Sequence, residues 1–131
     1  RPLAGRLVNY AVTRSRMHHY IRQVYGNKHR VKPQLVDRYY ELFTMNGNPK
    51  AFIKLVNQKF KDNTSRLKSI QTPSLVMWGE EDAWVPVNNA YRFTISIPNS
   101  QLVTYEGIGH IPMEEIPDVS VSDYLRFLKK I

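Results

Sequence analysis

Two short segments, residues 74–78 and 101–105, constrain the fold more than any other feature of this sequence. The first is apolar without alternation, as expected of a strand buried on both faces in a parallel sheet. The residues between them predict a helix that opens near Pro86 and is closed by Pro98. A strand, a helix and a second parallel strand make a right-handed crossover unit, and a last helix from about Asp118 would cover one face. The sequence therefore predicts an α/β fold.

Asp82 and His110 follow the two predicted strands, four residues after Trp78 and five after Tyr105. Parallel strands deliver their following loops to the same edge of a sheet, where ligand chemistry gathers. We therefore expect the two side chains to lie together, although 28 positions (82 to 110) separate them. Taken singly, His110 could be a hydrogen-bonded loop histidine, and Asp82 could be the N-cap of the following helix. Their matching positions favour a catalytic pair.

A histidine held by a carboxylate is the general-base half of nucleophilic hydrolysis. The carboxylate fixes the imidazole tautomer and stabilises the imidazolium that forms when the nucleophile loses its proton. Imidazole titrates near neutral pH, so it can both remove and return that proton. We therefore predict that His110 is the base and Asp82 the acid of a hydrolytic site, with Glu80 and Glu81 as alternative acids.

Residues 1–63 show a different pattern, which is typical of helices. Apolar residues recur at helical spacing in a first stretch that begins at Leu3 and continues to Val24, and in a second that runs from Leu35 to Phe43. Asn48, followed by Pro49, predicts the capped start of a third helix. The expected buried side of this third helix is Phe52, Ile53, Val56 and Phe60. We expect residues 1–63 to form an all-helical cap, or lid, and residues 64–131 to form the α/β core.

Two motifs resemble the α/β-hydrolases, in particular the cap-bearing branch of esterases, carbon–carbon bond hydrolases, haloalkane dehalogenases and epoxide hydrolases. The stretch TPSLVMWGEEDAWVP, residues 72–86, resembles the family's penultimate strand and acid loop. The stretch YEGIGHIPMEEIP, residues 105–117, resembles its last strand and histidine loop. In the family a Gly-x-x-Asp supplies the triad carboxylate, which favours Asp82 over Glu81. The resemblance is weaker over residues 1–69, where it implies the helical cap that roofs the pocket.

The resemblance also implies a nucleophile that this chain does not contain. The family places Ser, or Asp, on a turn of the form G-x-S-x-G, and none of the six glycines frames either residue in that pattern. We expect an incomplete fold that lacks the N-terminal strands, with the nucleophile, Ser or Asp, on another stretch of polypeptide. The chain alone is predicted to be inactive. Two strands cannot bury their own faces and edges, so we expect pairing with the missing N-terminal segment or self-association through the exposed sheet edge.

The implied substrate is a small, apolar, ester-like molecule. Trp84 and Met113 flank the two loops, and they either line an apolar substrate pocket or pack structurally. Neither a cofactor nor a metal site is expected from the sequence.

The net charge of +8 is uneven, with 15 Lys/Arg against 3 Asp/Glu in residues 1–68 and 4 against 8 in residues 69–131. The basic part fits a solvated helical surface, and the competing hypothesis is a hydrolase remnant that binds an acidic partner. A nucleic-acid partner ranks last, since no recognised motif accompanies the charge. No run of about 18 apolar residues predicts a membrane span. The absence of cysteine fits a cytoplasmic setting.

Overall fold

The computed structural model describes residues 12–131, which fall into two compact units. The described part of the first unit is residues 12–22 and 31–61, and the second unit is residues 23–30 and 62–131. The domain limits at residues 63 and 64 stay a prediction, and the helical pattern predicted for residues 3–11 lies outside the described residues. No helix within residues 12–131 is long and apolar enough to cross a membrane.

Three helices carry the described part of the first unit: α1 (Arg14–Val24), whose last two residues belong to the second unit, α2 (Pro33–Thr44) and α3 (Asn48–Val56). Pro33 stands in the first turn of α2, where its missing N–H has no helical partner to lose. Val36 is buried in this unit, at 1% exposed. Arg14 donates a hydrogen bond to Asp37, and this bond holds the pKa of the Asp37 carboxyl below its ordinary value.

The start of α3 differs from its prediction in one respect. The helix begins at Asn48, but its N-cap is Gly47, at φ 94°, and the Asn48 amide instead donates to the Leu42 carbonyl over 2.6 Å. Glycine tolerates this left-handed conformation, so the chain turns there without a side-chain cap.

The predicted buried side of α3 is wrong for most of its residues. Phe52, Val56 and Phe60 are 49%, 59% and 74% exposed. Phe52 meets the ring edge of Phe43, with centroids 5.5 Å apart, which covers only part of its surface. The amphipathic stripe in the sequence is present, but the described residues leave it largely uncovered.

The second unit contains the predicted crossover. Strand β1 (Ser74–Gly79) is followed by helix α4 (Asn88–Ser96) and strand β2 (Ser100–Tyr105), and the two strands pair in parallel. The α/β class predicted from the sequence is confirmed. Short 3₁₀ helices at Lys28–Arg30 and Thr64–Ser69 complete the unit before the sheet.

Two helices follow the sheet: the short α5 (Pro112–Glu115), which the sequence did not predict, and α6 (Pro117–Leu128). Among the apolar residues of α6, Phe127 is buried, at 8% exposed. Val121, Tyr124 and Leu125 are about half exposed, at 51%, 47% and 50%. The 12-residue helix therefore keeps part of its apolar surface exposed beside the two strands.

Candidate active site

The site is built where β1 and β2 end side by side. The register pairs Trp78 with Thr104 and Gly79 with Tyr105, so the chain leaves both strands at the same level. Beyond the strands, the Glu80 N–H donates to the Tyr105 carbonyl over 3.0 Å, and the Glu81 N–H donates to the Ile108 carbonyl over 2.9 Å. Backbone hydrogen bonds therefore hold the two loops together independently of the side chains of the site.

His110 and Asp82 meet at this edge. His110 Nδ1 lies 2.7 Å from Asp82 Oδ2, and the Asp82 side chain is 2% exposed. An ionised carboxylate only accepts hydrogen bonds, so Nδ1 carries the ring proton and donates a hydrogen bond to Asp82 Oδ2. The structure therefore brings together the two residues that the sequence paired.

The second oxygen of Asp82 is also occupied. Oδ1 accepts the Trp84 N–H over 2.9 Å and the Val85 N–H over 2.8 Å. These bonds fix the carboxylate within its own turn, with Oδ2 directed at the imidazole. The alternative role of Asp82 as N-cap of the next helix is wrong, because α4 begins at Asn88 and its N-cap is Val87.

The Nε2 edge of the imidazole, on the side away from Asp82, is accessible. The His110 side chain is 33% exposed, and Nε2 has no hydrogen-bond partner within the described part of the chain. A small cavity of about 120 Å³ lies beside the pair, lined by Met77, Trp78, Gly79, Asp82 and His110. Imidazole with Nδ1 tied to a carboxylate and Nε2 accessible can take a proton from a group that approaches Nε2.

Trp84 and Met113 take different positions around the pair. The Trp84 indole lies 5.5 Å from the His110 ring between centroids and is 52% exposed. Met113 is 63% exposed and borders a depression of about 350 Å³ together with Met77, Pro117 and Tyr124. Met77 lines both hollows, which the sequence did not indicate because Met77 lies inside a strand. The substrate-binding roles of Trp84 and Met113 stay predictions.

The alternative acids do not contact the imidazole. Glu80 and Glu81 are exposed, and only Asp82 of the three hydrogen-bonds His110. Glu114 accepts a long hydrogen bond from the Tyr25 hydroxyl, at 3.5 Å. Within residues 12–131, no group of three His, Asp or Glu side chains is arranged to hold a metal ion.

Glu115 is a buried carboxylate whose backbone partners the sequence does not predict. It is 2% exposed and accepts backbone N–H groups from Gly26, Asn27 and Gly109. No sequence signal marks this arrangement, because every non-proline residue carries a backbone N–H.

Three glycines allow the backbone to cross closely beneath His110. A Cβ on Gly79 would overlap the carbonyl oxygens of Ile108 and Gly109, and a Cβ on Gly109 would overlap the Val24 carbonyl. A Cβ on Gly26 would lie 2.5 Å from the Gly107 carbonyl oxygen. The end of β1, the loop before His110 and residues 24–26 therefore touch main chain to main chain, which only glycine permits.

Tyr105, the last residue of β2, anchors the end of the strand to α6. Its hydroxyl donates to Asp123 Oδ2 on α6 over 3.1 Å, and Asp123 also accepts from Arg126 over 2.7 Å. Burial, and then the hydrogen bond to Asp123, raise the pKa of the Tyr105 phenol above its ordinary value. This contact fixes the strand end from which the histidine loop departs.

Comparison with known proteins agrees with this architecture. Residues 2–117 match the family model described as alpha/beta hydrolase fold. The chain therefore belongs to the α/β hydrolase fold family, and the resemblance noted in the sequence is confirmed.

Three similar proteins illustrate the relationship. The chain is 29% identical over 107 residues to the uncharacterized hydrolase YugF of Bacillus subtilis (81% of this chain, 39% of that protein). It is 42% identical over 53 residues to 2-hydroxy-6-oxononadienedioate/2-hydroxy-6-oxononatrienedioate hydrolase 2 of Pseudomonas putida (40% of this chain, 18% of that protein). Among solved structures it is similar to CarC, a serine hydrolase involved in carbazole degradation, with TM-score 0.82 and 26% identity over 91% of this chain and 48% of that one. The chain spans less than half the length of each of these three proteins.

Proposed function

We propose that this chain supplies the base and the acid of an α/β-fold hydrolase whose nucleophile lies outside residues 1–131. The observation that carries the proposal is the hydrogen bond from His110 Nδ1 to the buried Asp82 carboxylate, with Nε2 left accessible. His110 is the general base and Asp82 the orienting acid. The substrate is a small molecule in which an ester or a comparably polarised carbonyl group is attached to an apolar carbon chain.

The proposed reaction proceeds in two halves. His110 Nε2 takes the proton of the nucleophile as it attacks the substrate carbonyl, and Asp82 stabilises the imidazolium that results. His110 then returns the proton to the leaving group, and in the second half it activates the water that releases the product. The likeness to CarC, which is a serine hydrolase, supports Ser as the nucleophile.

The bond that is cleaved is either an ester or a carbon–carbon bond beside a carbonyl group. The match to the Pseudomonas putida dienedioate hydrolase extends over 53 residues. It supports cleavage of a carbon–carbon bond. Both choices use the same acid and base, because each needs a proton removed from the nucleophile and returned to a leaving group.

The test uses the natural full-length polypeptide that contains these residues. Hydrolysis of p-nitrophenyl butyrate and of 2-hydroxy-6-oxononadienedioate is measured for the wild type and for His110→Ala, with fluorophosphonate labelling as a readout of an activated serine. We expect turnover of one substrate, and loss of both turnover and labelling in the variant. Turnover that His110→Ala leaves intact would overturn the proposal. A wild type that is inert and binds polyanions in a salt-dependent manner would instead favour the basic binding protein.

A further inference from the structure

Glu115 has the environment of an ionised carboxylate although it is almost fully buried. Its Oε1 accepts the Asn27 N–H over 2.6 Å, and its Oε2 accepts the N–H groups of Gly26 over 3.1 Å and Gly109 over 2.8 Å. No lysine or arginine side chain in the described part of the chain forms an ion pair with it. Three backbone donors therefore offset the cost of burying the charge, since hydrogen bonds to a charged acceptor are the strong ones.

These three donors come from two distant stretches of chain. Gly26 and Asn27 follow α1, whereas Gly109 immediately precedes His110. Glu115 thus joins the turn after α1 to the histidine loop, 88 and 89 positions away from Asn27 and Gly26. The Arg30 guanidinium adds a further link by donating to the Glu115 main-chain carbonyl over 2.7 Å.

The backbone of His110 is held by the same junction. The His110 N–H donates to the Val24 carbonyl over 2.7 Å. The N–H of the preceding residue, Gly109, donates to the Glu115 carboxylate. The close contacts at Gly26 and Gly109 leave no room for the loop to shift toward residues 24–26. The orientation of the imidazole toward Asp82 is therefore determined by the backbone on which it sits as well as by the carboxylate it meets.

We propose that Glu115 is a positioning residue for His110: its carboxylate, bound to the N–H groups of Gly26, Asn27 and Gly109, fixes the loop so that Nδ1 faces Asp82 and Nε2 faces the nucleophile. The catalytic part of this inference rests on the proposed function. The structural part, the alignment of the imidazole with Asp82, does not.

The first test is spectroscopic and needs no substrate. In the natural full-length polypeptide, the hydrogen-bonded His110 Nδ1 proton gives a far-downfield NMR resonance, which is assigned by its loss in Asp82→Asn. We expect Glu115→Gln to shift it upfield or broaden it, because the amide turns a donor toward backbone donors. Glu106→Gln removes a charge from an exposed position of the same loop and should leave the resonance unchanged. An unchanged resonance in folded Glu115→Gln would overturn the inference.

The second test is kinetic. We expect Glu115→Gln to lower kcat about 10-fold to 100-fold with little change in KM, because a displaced base costs rate and not binding. Glu115→Asp keeps the charge but shortens the reach, so it should fall between the wild type and Glu115→Gln. Equal kcat in all three folded proteins would contradict the inference. A wild type without turnover would refute the proposed function alone, since the spectroscopic test still reports on Glu115.

A measurement on the wild type covers the case in which neither variant folds. Hydrogen exchange is followed in urea below the unfolding transition for the backbone N–H groups of Gly26, Asn27 and Gly109 and for His110 Nδ1–H. We expect the imidazole proton to lose protection together with the three amides. An imidazole proton that stays protected after the Gly109 amide has opened would overturn the inference.

Discussion

His110 and Asp82 are 28 positions apart in the chain, yet Nδ1 and Oδ2 are separated by 2.7 Å. The parallel register is the cause, because it pairs Gly79 with Tyr105 and releases both loops at one level of the sheet. The other oxygen of Asp82, Oδ1, accepts two N–H groups of its own turn, and Oδ2 is bound to the imidazole. Each of these features gives a measurable expectation in the natural full-length polypeptide.

Asp82→Asn should leave the turn largely intact but reverse the preference for a protonated Nδ1. We expect kcat to fall by about 10⁴-fold, as is found when the acid of such a triad becomes an amide. The measurement is steady-state ester or dienedioate hydrolysis with the wild type as reference. Glu81→Gln is the matched control, since the Glu81 side chain is exposed and only Asp82 of the three acids hydrogen-bonds His110. The kcat of this variant should equal that of the wild type. A larger loss in Glu81→Gln than in Asp82→Asn would assign the acid to Glu81.

The 131-residue chain by itself should not hydrolyse p-nitrophenyl butyrate. Acid, base and nucleophile act as a unit, and removing the nucleophile removes most of the rate enhancement. The rate given by the purified chain is compared with that of its own His110→Ala variant, and the two are expected to agree. A rate that the substitution abolishes would show that a nucleophile is present among these residues after all.

Gly79→Ala should disturb the histidine loop. The added methyl group would overlap the carbonyls of Ile108 and Gly109, and forcing atoms into a packed region costs about 1–3 kcal/mol. Urea unfolding measures the loss of stability, and kcat/KM should fall at least tenfold because the backbone before His110 moves. Gly47→Ala is the control: it has open space but a left-handed φ of 94°, so it should lose stability and keep kcat/KM. Full activity in Gly79→Ala would show that the loop tolerates the displacement.

Tyr105→Phe should change the response to alkaline pH. The pKa of the buried phenol is raised, so the folded state favours the neutral form. The contribution of the neutral Tyr105 phenol to stability is complete below the pKa of an unfolded tyrosine, about 10, and is lost as the pH rises above that pKa. The variant should be less stable by about 1 kcal/mol at neutral pH, through loss of the bond to Asp123, and should lose less stability above pH 10. Urea unfolding from neutral to alkaline pH provides the comparison. Tyr124→Phe, at a 47% exposed tyrosine, should behave as the wild type.

The sequence was sufficient for the features that depend on local pattern and strand order. Residues 74–78 and 101–105 form the parallel strands, and the loops that follow place Asp82 beside His110. Period, chain direction and spacing are all readable from one sequence. The roles of the two residues in catalysis stay predictions until activity is measured.

Features that depend on which partner the fold brings to a residue cannot be predicted from this sequence. Glu115 is held by N–H groups of Gly26, Asn27 and Gly109, and backbone amides leave no trace in residue identity. The exposure of Phe52 was missed because an apolar stripe shows which side of a helix seeks cover and not whether cover exists. The sequence predicts that the Asn48 side chain caps α3, but its amide donates a hydrogen bond to the Leu42 carbonyl instead.

The junction around Glu115 has a consequence for how this chain tolerates rearrangement. The hydrogen bonds described for His110, Asp82 and Glu115 lie within one compact unit, residues 23–30 and 62–131. We therefore predict that exchanging residues 31–61 for a segment of different sequence or length leaves these hydrogen bonds of the acid and the base in place. A library of exchanged segments could therefore be screened on a constant pair of acid and base.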